Sequence, residues 1–180
     1  MQNTERLHEA VTAFDDTVDG AFTGLRRHRA ANMVAYAASE AADYSVGWHV
    51  ISLAMAVVSP SRRRHAVRLA VALGLESILV NGVLKRATKR PRPELLDDRA
   101  FEVRRPKNTS FPSGHASSAA LSAVLFTDAM PRGRKLWLLL AVIVGASRIH
   151  NRMHHASDVA AGAVLGSAFG VLTKRLWPLR

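Results

Sequence analysis

The stretch SRIHNRMHHASD, residues 147–158, decides how the rest of the chain is read. It lies between two apolar runs, Leu136 to Ala146 and Val159 to Val171. It therefore reads as a polar loop joining two hydrophobic helices, its last residues opening the second. His154 and Asp158 are four residues apart, a spacing that on a helix stacks them one turn apart on one face. A carboxylate so placed can fix the tautomer of an imidazole and stabilise its protonated form. Arg148 adds a planar cationic fork suited to a phosphate-like oxyanion. The same residue types also occur in plain loops, and an Asp at a helix start favours the N-terminal dipole. The stretch therefore takes its meaning from what accompanies it.

Two other stretches accompany it. KRATKRPRP, residues 85–93, places Lys85 seven positions before the Arg92-Pro93 pair, and PSGH, residues 112–115, is a tight turn opening a run of small residues. In this order, Lys-x6-Arg-Pro, Pro-Ser-Gly-His and Ser-Arg-x5-His-x3-Asp resemble the type 2 phosphatidic acid phosphatase (PAP2) family, which shares its site with vanadium haloperoxidases. All three motifs are complete between Lys85 and Asp158.

The resemblance implies an all-α fold: an integral membrane bundle of about five to six helices with a PAP2/vanadium-haloperoxidase-like core. It implies hydrolysis of a phosphomonoester or diphosphate on a lipid, polyprenyl-linked or glycerophospholipid, through a phosphohistidine. The matching residues take their roles from it. Lys85, Arg92 and Arg148 resemble the phosphate clamp, with Ser113 and the Gly114 backbone N–H as further oxyanion donors. His154 resembles the nucleophile, Asp158 its orienting acid and His115 the general acid for the leaving alcohol. Arg90-Pro91 is a rival Arg-Pro pair two residues too early, and His150 and His155 are read as solvated or packing residues. No cofactor and no metal are expected, since the cation and donor set does a metal's work. The Ala- and Arg-rich composition resembles that of actinobacterial members.

Composition bounds the alternatives. Lys plus Arg number 25 against 14 Asp plus Glu in 180 residues, a formal net charge of +11, and there are no cysteines to form disulfides or a thiolate metal site. Such a charge suits nucleic acid, an anionic membrane surface or an anionic substrate. Nucleic acid is the weakest reading, because aromatic residues make up only 6% of the chain and stacking platforms are scarce. The mean hydropathy is +0.03 because polar loops dilute long apolar runs. A soluble basic domain has no need of such runs.

Along the chain, Leu7, Val11, Phe14, Val18, Phe22 and Leu25 recur at helical steps, with Glu5, Glu9, Asp15, Asp16 and Asp19 assigned to the other face. This helix is expected either to lie in the membrane interface or to pack on the domain. Residues 1–43 are accordingly read as amphipathic or interfacial helices and 44–180 as the transmembrane catalytic domain. Tyr44 and Trp48 form an interfacial aromatic pair at the start of one span. Ala66 to Leu84 is a second span, whose Glu76 is expected to make a helix-packing hydrogen bond. Residues 85–111 are basic and proline-broken. Apart from Lys85 and Arg92, most of the cations Arg86, Lys89, Arg90, Arg99, Arg104, Arg105 and Lys107 are expected in solvent or at headgroups. Gly162, Gly166 and Gly170 recur every four residues, a spacing that lets helices approach closely.

Tracing the spans brings all three motifs out at one membrane face. Arg62, Arg63, Arg64, Arg132, Arg134, Lys135, Lys174 and Arg175 fall at the other, which the positive-inside rule makes cytoplasmic. The expected protein is multi-pass in the cell membrane, its site extracytoplasmic, its partners a lipid phosphate and the bilayer. Two rivals remain at this point: a vanadate-dependent haloperoxidase, and a polybasic non-enzymatic protein that binds anionic lipid. The second puts no special weight on His154 over His155.

Overall fold

Small residues determine the centre of the bundle. The run GHASSAALSAVLFTDA forms helix α6 (Gly114–Ala129), which is buried on nearly every side, from Ala116 through Ser117, Ser118, Ala119, Leu121, Ser122 and Ala123 to Leu125 and Phe126. Ala and Ser present little bulk, so neighbouring helices close on all faces. The closest is α8 (Ala156–Leu176), through its three spaced glycines. A Cβ at Gly162 would strike the Ser113 carbonyl, one at Gly166 the Ser117 carbonyl, and one at Gly170 would lie 2.9 Å from Val124 Cβ. The four-residue glycine pattern therefore presses α8 along α6, from the PSGH turn to Val124.

The computed structural model describes residues 2–95, 101, 105, 106 and 108–179. The expectations for Arg99, Arg104 and Lys107 lie outside the described residues. The other helices are α1 (Gln2–Leu25), α2 (Arg29–Ala41), α3 (Val46–Val58), α4 (Arg63–Ser77) and α7 (Arg134–His150). From α4 the chain runs through a π-helical stretch, Ile78–Leu84, into a last turn, α5 (Lys85–Ala87). No strand occurs among the described residues.

Helices 60–87 and 156–176 are long and apolar enough to cross a membrane; α2 and α3 pass the same test only as a pair, bent by 59° like a broken span or a re-entrant loop. The bend falls where Tyr44 and Ser45 take positive φ, 50° and 61°. α6 and α7, at 16 and 17 residues, are shorter, and α6 is rich in Ser. Among the described residues, then, two or three spans qualify by length and composition alone, within the all-α bundle that was expected. Val58, Val142 and Val164 point outward, as lipid-facing residues should.

Two local readings change. Trp48 is buried against Phe126, ring centroids 6.3 Å apart, and belongs to the core, while Tyr44 is exposed. The inward stripe of α1 runs Val11, Asp15, Val18, Phe22, with Asp15 buried, whereas Leu7, Phe14 and Leu25 are 66%, 48% and 47% exposed. Asp15 thus lies in the docked stripe, where its spacing from Val11 and Val18 puts it, and not on a solvated acidic face.

Candidate active site

The decisive stretch begins inside a helix. Ser147 and Arg148 belong to the last turn of α7, where the Ser147 hydroxyl donates to the Val144 carbonyl at 2.7 Å and continues the helical path. The loop proper is 151–155, tied back by the Met153 and His154 amides, which both donate to the Arg148 carbonyl, at 2.9 and 3.2 Å. α8 then opens with His155 as its N-cap. The Asp158 carboxylate accepts the His155 amide at 2.9 Å, and the His155 side chain accepts in return from the third helical amide.

His154 therefore precedes the helix, and it meets Asp158 through this cap rather than by stacking on a helical face. The His154 Nδ1 to Asp158 Oδ2 distance is 3.7 Å, too long for a hydrogen bond but close enough for strong electrostatic coupling.

One cavity of about 510 Å³ is lined by Lys85, Arg92, Gly114, His115, Arg148 and His154, joined by Asp43, Glu76, Asn81 and Ser118. The helix ends explain the convergence. α5 delivers Lys85 at the close of the α4 span, the first turn of α6 delivers His115, the last turn of α7 delivers Arg148, and the loop before α8 delivers His154.

Ser113 is fully buried and does not line the cavity. It is the N-cap of α6, its Oγ accepting the Ala116 amide, and its own amide donates to the Asp158 carbonyl at 3.1 Å. The Ser113 backbone N–H is thus already engaged. Gly114 does face the cavity, with Asn81 Oδ1 3.2 Å from where a Cβ would stand.

The three cations differ in how they are held. Arg92 donates to the Asn108 carbonyl at 3.1 Å, the Asn108 side chain at 2.8 Å, the Thr109 carbonyl at 3.3 Å and the Met153 carbonyl at 2.7 Å. Its Nη1 also lies 3.3 Å from His154 Nε2. A guanidinium only donates, so Nε2 is the accepting nitrogen of His154 and Nδ1 carries the proton on the Asp158 side. Arg148 donates to the Ser39 hydroxyl and leaves its buried Nε without a partner. Lys85 is buried and makes no hydrogen bond or ion pair among the described residues. Burial, the largest effect, pulls the His154 pKa down from the ordinary histidine value to about 3; Asp158 opposes this and Arg148, Arg92 and Lys85 reinforce it. The ring is therefore neutral at physiological pH, its Nε2 lone pair covered by Arg92. Burial likewise lowers Arg92 from its ordinary value, helped by Arg105.

The rival histidines have structural partners away from the cavity. His150 Nε2 pairs with Asn32 Oδ1 at 2.7 Å and its ring lies edge-on to Phe22, while His155 caps α8. Glu76 was expected to make a packing hydrogen bond; it sits beside Ser117 of α6 and also lines the cavity, where its Oε1 has no partner among the described residues. Among the described residues no group of three or more His, Cys, Asp or Glu side chains could hold a metal ion.

Sequence reasoning also missed Arg90, which forms ion pairs with Asp158 Oδ1 at 2.7 Å and with Asp15 Oδ2 at 2.5 Å. The signal was present: a second Arg-Pro pair beside the motif, and a lone acid on an apolar helical stripe.

Residues 65–180 match the model of the PAP2 superfamily. The chain is 35% identical over 131 residues to decaprenylphosphoryl-5-phosphoribose phosphatase of Mycobacterium tuberculosis, covering 72% of this chain and 71% of that one. It is 33% identical over 100 residues to lipid A 1-phosphatase of Rhizobium johnstonii, covering 53% and 41%. Its fold matches the crystal structure of a PAP2-type phosphatidylglycerolphosphate phosphatase from Bacillus subtilis with a TM-score of 0.70 at 24% identity, over 93% of this chain and 86% of that one. It matches that of Aquifex aeolicus LpxE with a TM-score of 0.69 at 24% identity, over 87% and 93%.

Proposed function

The chain belongs to the PAP2 superfamily, and on that premise we propose how this membrane lipid phosphatase performs its reaction and on what. The observation that supports the reading best is the meeting of Lys85, Arg92, Arg148, His115 and His154 around one cavity.

A phosphomonoester is anionic and repels nucleophiles, so its equatorial oxygens must be neutralised before attack. Among the described residues Lys85 and Arg148 bring buried donors not engaged with carboxylates, and Arg92 swings its Nη1 from His154 Nε2 to a phosphate oxygen. That exchange uncovers the lone pair as the substrate arrives. His154 Nε2 attacks phosphorus in line, the bond to the leaving oxygen breaks, and His115 gives that oxygen its proton. Asp158 stabilises the positive charge that develops on His154. Water then attacks the phosphohistidine; His115 takes its proton, and phosphate leaves with His154 restored. The Gly114 amide and the N-terminal dipole of α6 add positive potential for the transferring group. Ser113 contributes by capping that helix.

The substrate we favour is a polyprenyl-linked phosphomonoester, on the strength of the mycobacterial relative's name and the share of both chains that is matched. The N-terminal helices α1 and α2 dock on a catalytic domain spanning 44–180, and the site faces away from the cytoplasm, because the basic loops gather at the opposite end. Phosphate release by detergent-purified protein from a panel of polyprenyl phosphosugar, polyprenyl diphosphate, phosphatidylglycerophosphate and phosphatidate tests the substrate. The polyprenyl phosphosugar should be hydrolysed fastest, and preference for a glycerophospholipid would overturn that choice. Activity should survive EDTA and be inhibited by vanadate, a mimic of pentacoordinate phosphorus. Loss on chelation, restored by magnesium, would defeat the mechanism.

A further inference from the structure

Behind the cavity a second polar chain runs from α1 to Asp158. Asp15 is the buried residue of α1, 5% exposed. Its Oδ1 accepts the Ser157 amide at 2.7 Å, and its Oδ2 accepts the Ser157 hydroxyl at 2.9 Å and Arg90 Nη2 at 2.5 Å. Arg90 Nη1 donates in turn to the Ser157 hydroxyl and to Asp158 Oδ1, both at 2.7 Å. One planar guanidinium thus bridges two buried carboxylates, and Asp15 also satisfies an amide in the first turn of α8. With Oδ1 held by Arg90 and Oδ2 by the His155 amide, the Asp158 carboxylate is fixed in rotation, Oδ2 turned to His154.

The charge balance matters as much as the geometry. Arg90 alone on Asp158 would make a neutral pair and cancel the field that the His154 ring feels. Shared with Asp15, the same cation leaves the set one negative charge in excess, so Asp158 keeps its attraction for a positive imidazole. Simple docking of α1 would be served by its apolar residues, yet Leu7, Phe14 and Leu25 face outward while an acid is buried. Burying a charge is costly unless it is paired and hydrogen-bonded, as this one is.

We infer that Asp15, acting through Arg90 and Ser157, is a positioning residue for the Asp158–His154 pair, so that the N-terminal helix is part of the catalytic apparatus and not only a membrane-surface anchor. The inference rests on the roles given above to His154 and Asp158.

The test is the rapid-quench nitrophenolate burst from p-nitrophenyl phosphate, with folded, detergent-purified protein. Asp15→Asn should slow the first step by about 10–100-fold, as loss of an outer partner of a reacting group does. KM should change little, since Asp15 does not line the cavity. Asp16→Asn, at an exposed neighbour, should keep the wild-type rate. In an Asp158→Asn background the Asp15 change should add almost nothing, because both act on one ring and such effects do not sum. A wild-type burst in Asp15→Asn, or its full penalty persisting in Asp158→Asn, overturns the inference. If Asp158→Asn itself runs at the wild-type rate, the reading of the site fails instead. Should Asp15→Asn not fold, Arg90→Lys keeps the charge and removes the planar bridge. It should show the same selective loss in the first step, and a wild-type burst there overturns the inference equally.

Discussion

The bundle carries charged residues at both ends, and the two ends treat them differently. At one end Arg68 of α4 pairs with Asp128 of α6 at 2.5 Å and donates to the Trp177 carbonyl just past α8 at 3.0 Å. Lys174 of α8 reaches the other oxygen of Asp128 at 3.2 Å. Arg68 and Lys174 thus share one acid between them. At the other end Lys85, Arg92 and Arg148 are buried without an ion pair among the described residues, and the nearby Asp158 is already engaged by Arg90. Burying cations without counter-charge costs stability. One end spends its charges on holding the helices together; the other keeps them for an anion that comes from outside.

The sharpest break of this comparison is at the nucleophile. His154→Ala should abolish lipid phosphate hydrolysis, while His155→Ala should keep much of it and lose about 1 kcal/mol of stability with its helix cap. Asp158→Asn should fold yet turn over about 10²–10⁴-fold more slowly, as the imidazole loses its orienting charge. Phosphate-release rates check all three, and equal activity in the two histidine variants would make this end a charged patch rather than a reaction centre.

His115 gives the next largest effect. Expulsion of an alkoxide needs a proton, so His115→Ala should slow hydrolysis of an alkyl lipid phosphate by about 10²–10⁴-fold. p-Nitrophenyl phosphate, with its good leaving group, should suffer far less. First-step rates for both substrates decide the point. Equal loss on both would make His115 a phosphate binder or structural residue, paired as it is with Asp43 at 3.5 Å.

What was legible in the sequence follows from what spacing can encode. The glycines of α8 and the small residues of α6 declared a close helix pair, because each glycine marks a place where a carbonyl or side chain of α6 leaves no room for a Cβ. The motif residues Lys85, Arg92, Gly114, His115, Arg148 and His154 reach one cavity, because helix ends lie within a few positions of each. Three features were not legible. The His154–Asp158 pairing was read as one helical face, whereas a capping geometry brings the two together. Arg92 looked like a free clamp, but only the folded 108–109 segment shows that it is held by carbonyls. The Asp15–Arg90 link joins residues 75 positions apart in different elements, which no local pattern specifies.

At the opposite end the prediction concerns stability. Asp128→Ala should leave Arg68 buried beside nothing but a carbonyl and a histidine. The cost should be about 3 kcal/mol, near the low side for a broken buried pair because Asp128 is 24% exposed. The kcat of the folded fraction should stay near wild type. Thermal unfolding in detergent and turnover together check this. A loss of kcat with stability intact would mean that the two ends are coupled and the division of labour is false.

The smallest effect tests whether the uncompensated cations keep His154 neutral. Burial and the neighbouring Arg148, Arg92 and Lys85 hold its folded pKa at about 3, while in the unfolded chain it has the ordinary value near 6.5. Between those values the unfolded state binds the proton and the folded state does not. Acidification through this window therefore favours unfolding: the stability associated with the neutral ring is complete above pH 6.5 and is lost progressively as pH falls towards 3. At pH 5 the loss should be about 2 kcal/mol from this residue. His154→Asn removes the titrating group, so its unfolding temperature should fall less than that of the wild type between pH 7 and pH 5. Bound vanadate should shrink the difference, because an anion beside the ring favours its charged form. If the wild type instead gains stability relative to His154→Asn on acidification, the imidazole is already charged in the folded protein. The cations at this end would then be balanced from within after all, and the contrast with the Arg68–Asp128 end would disappear.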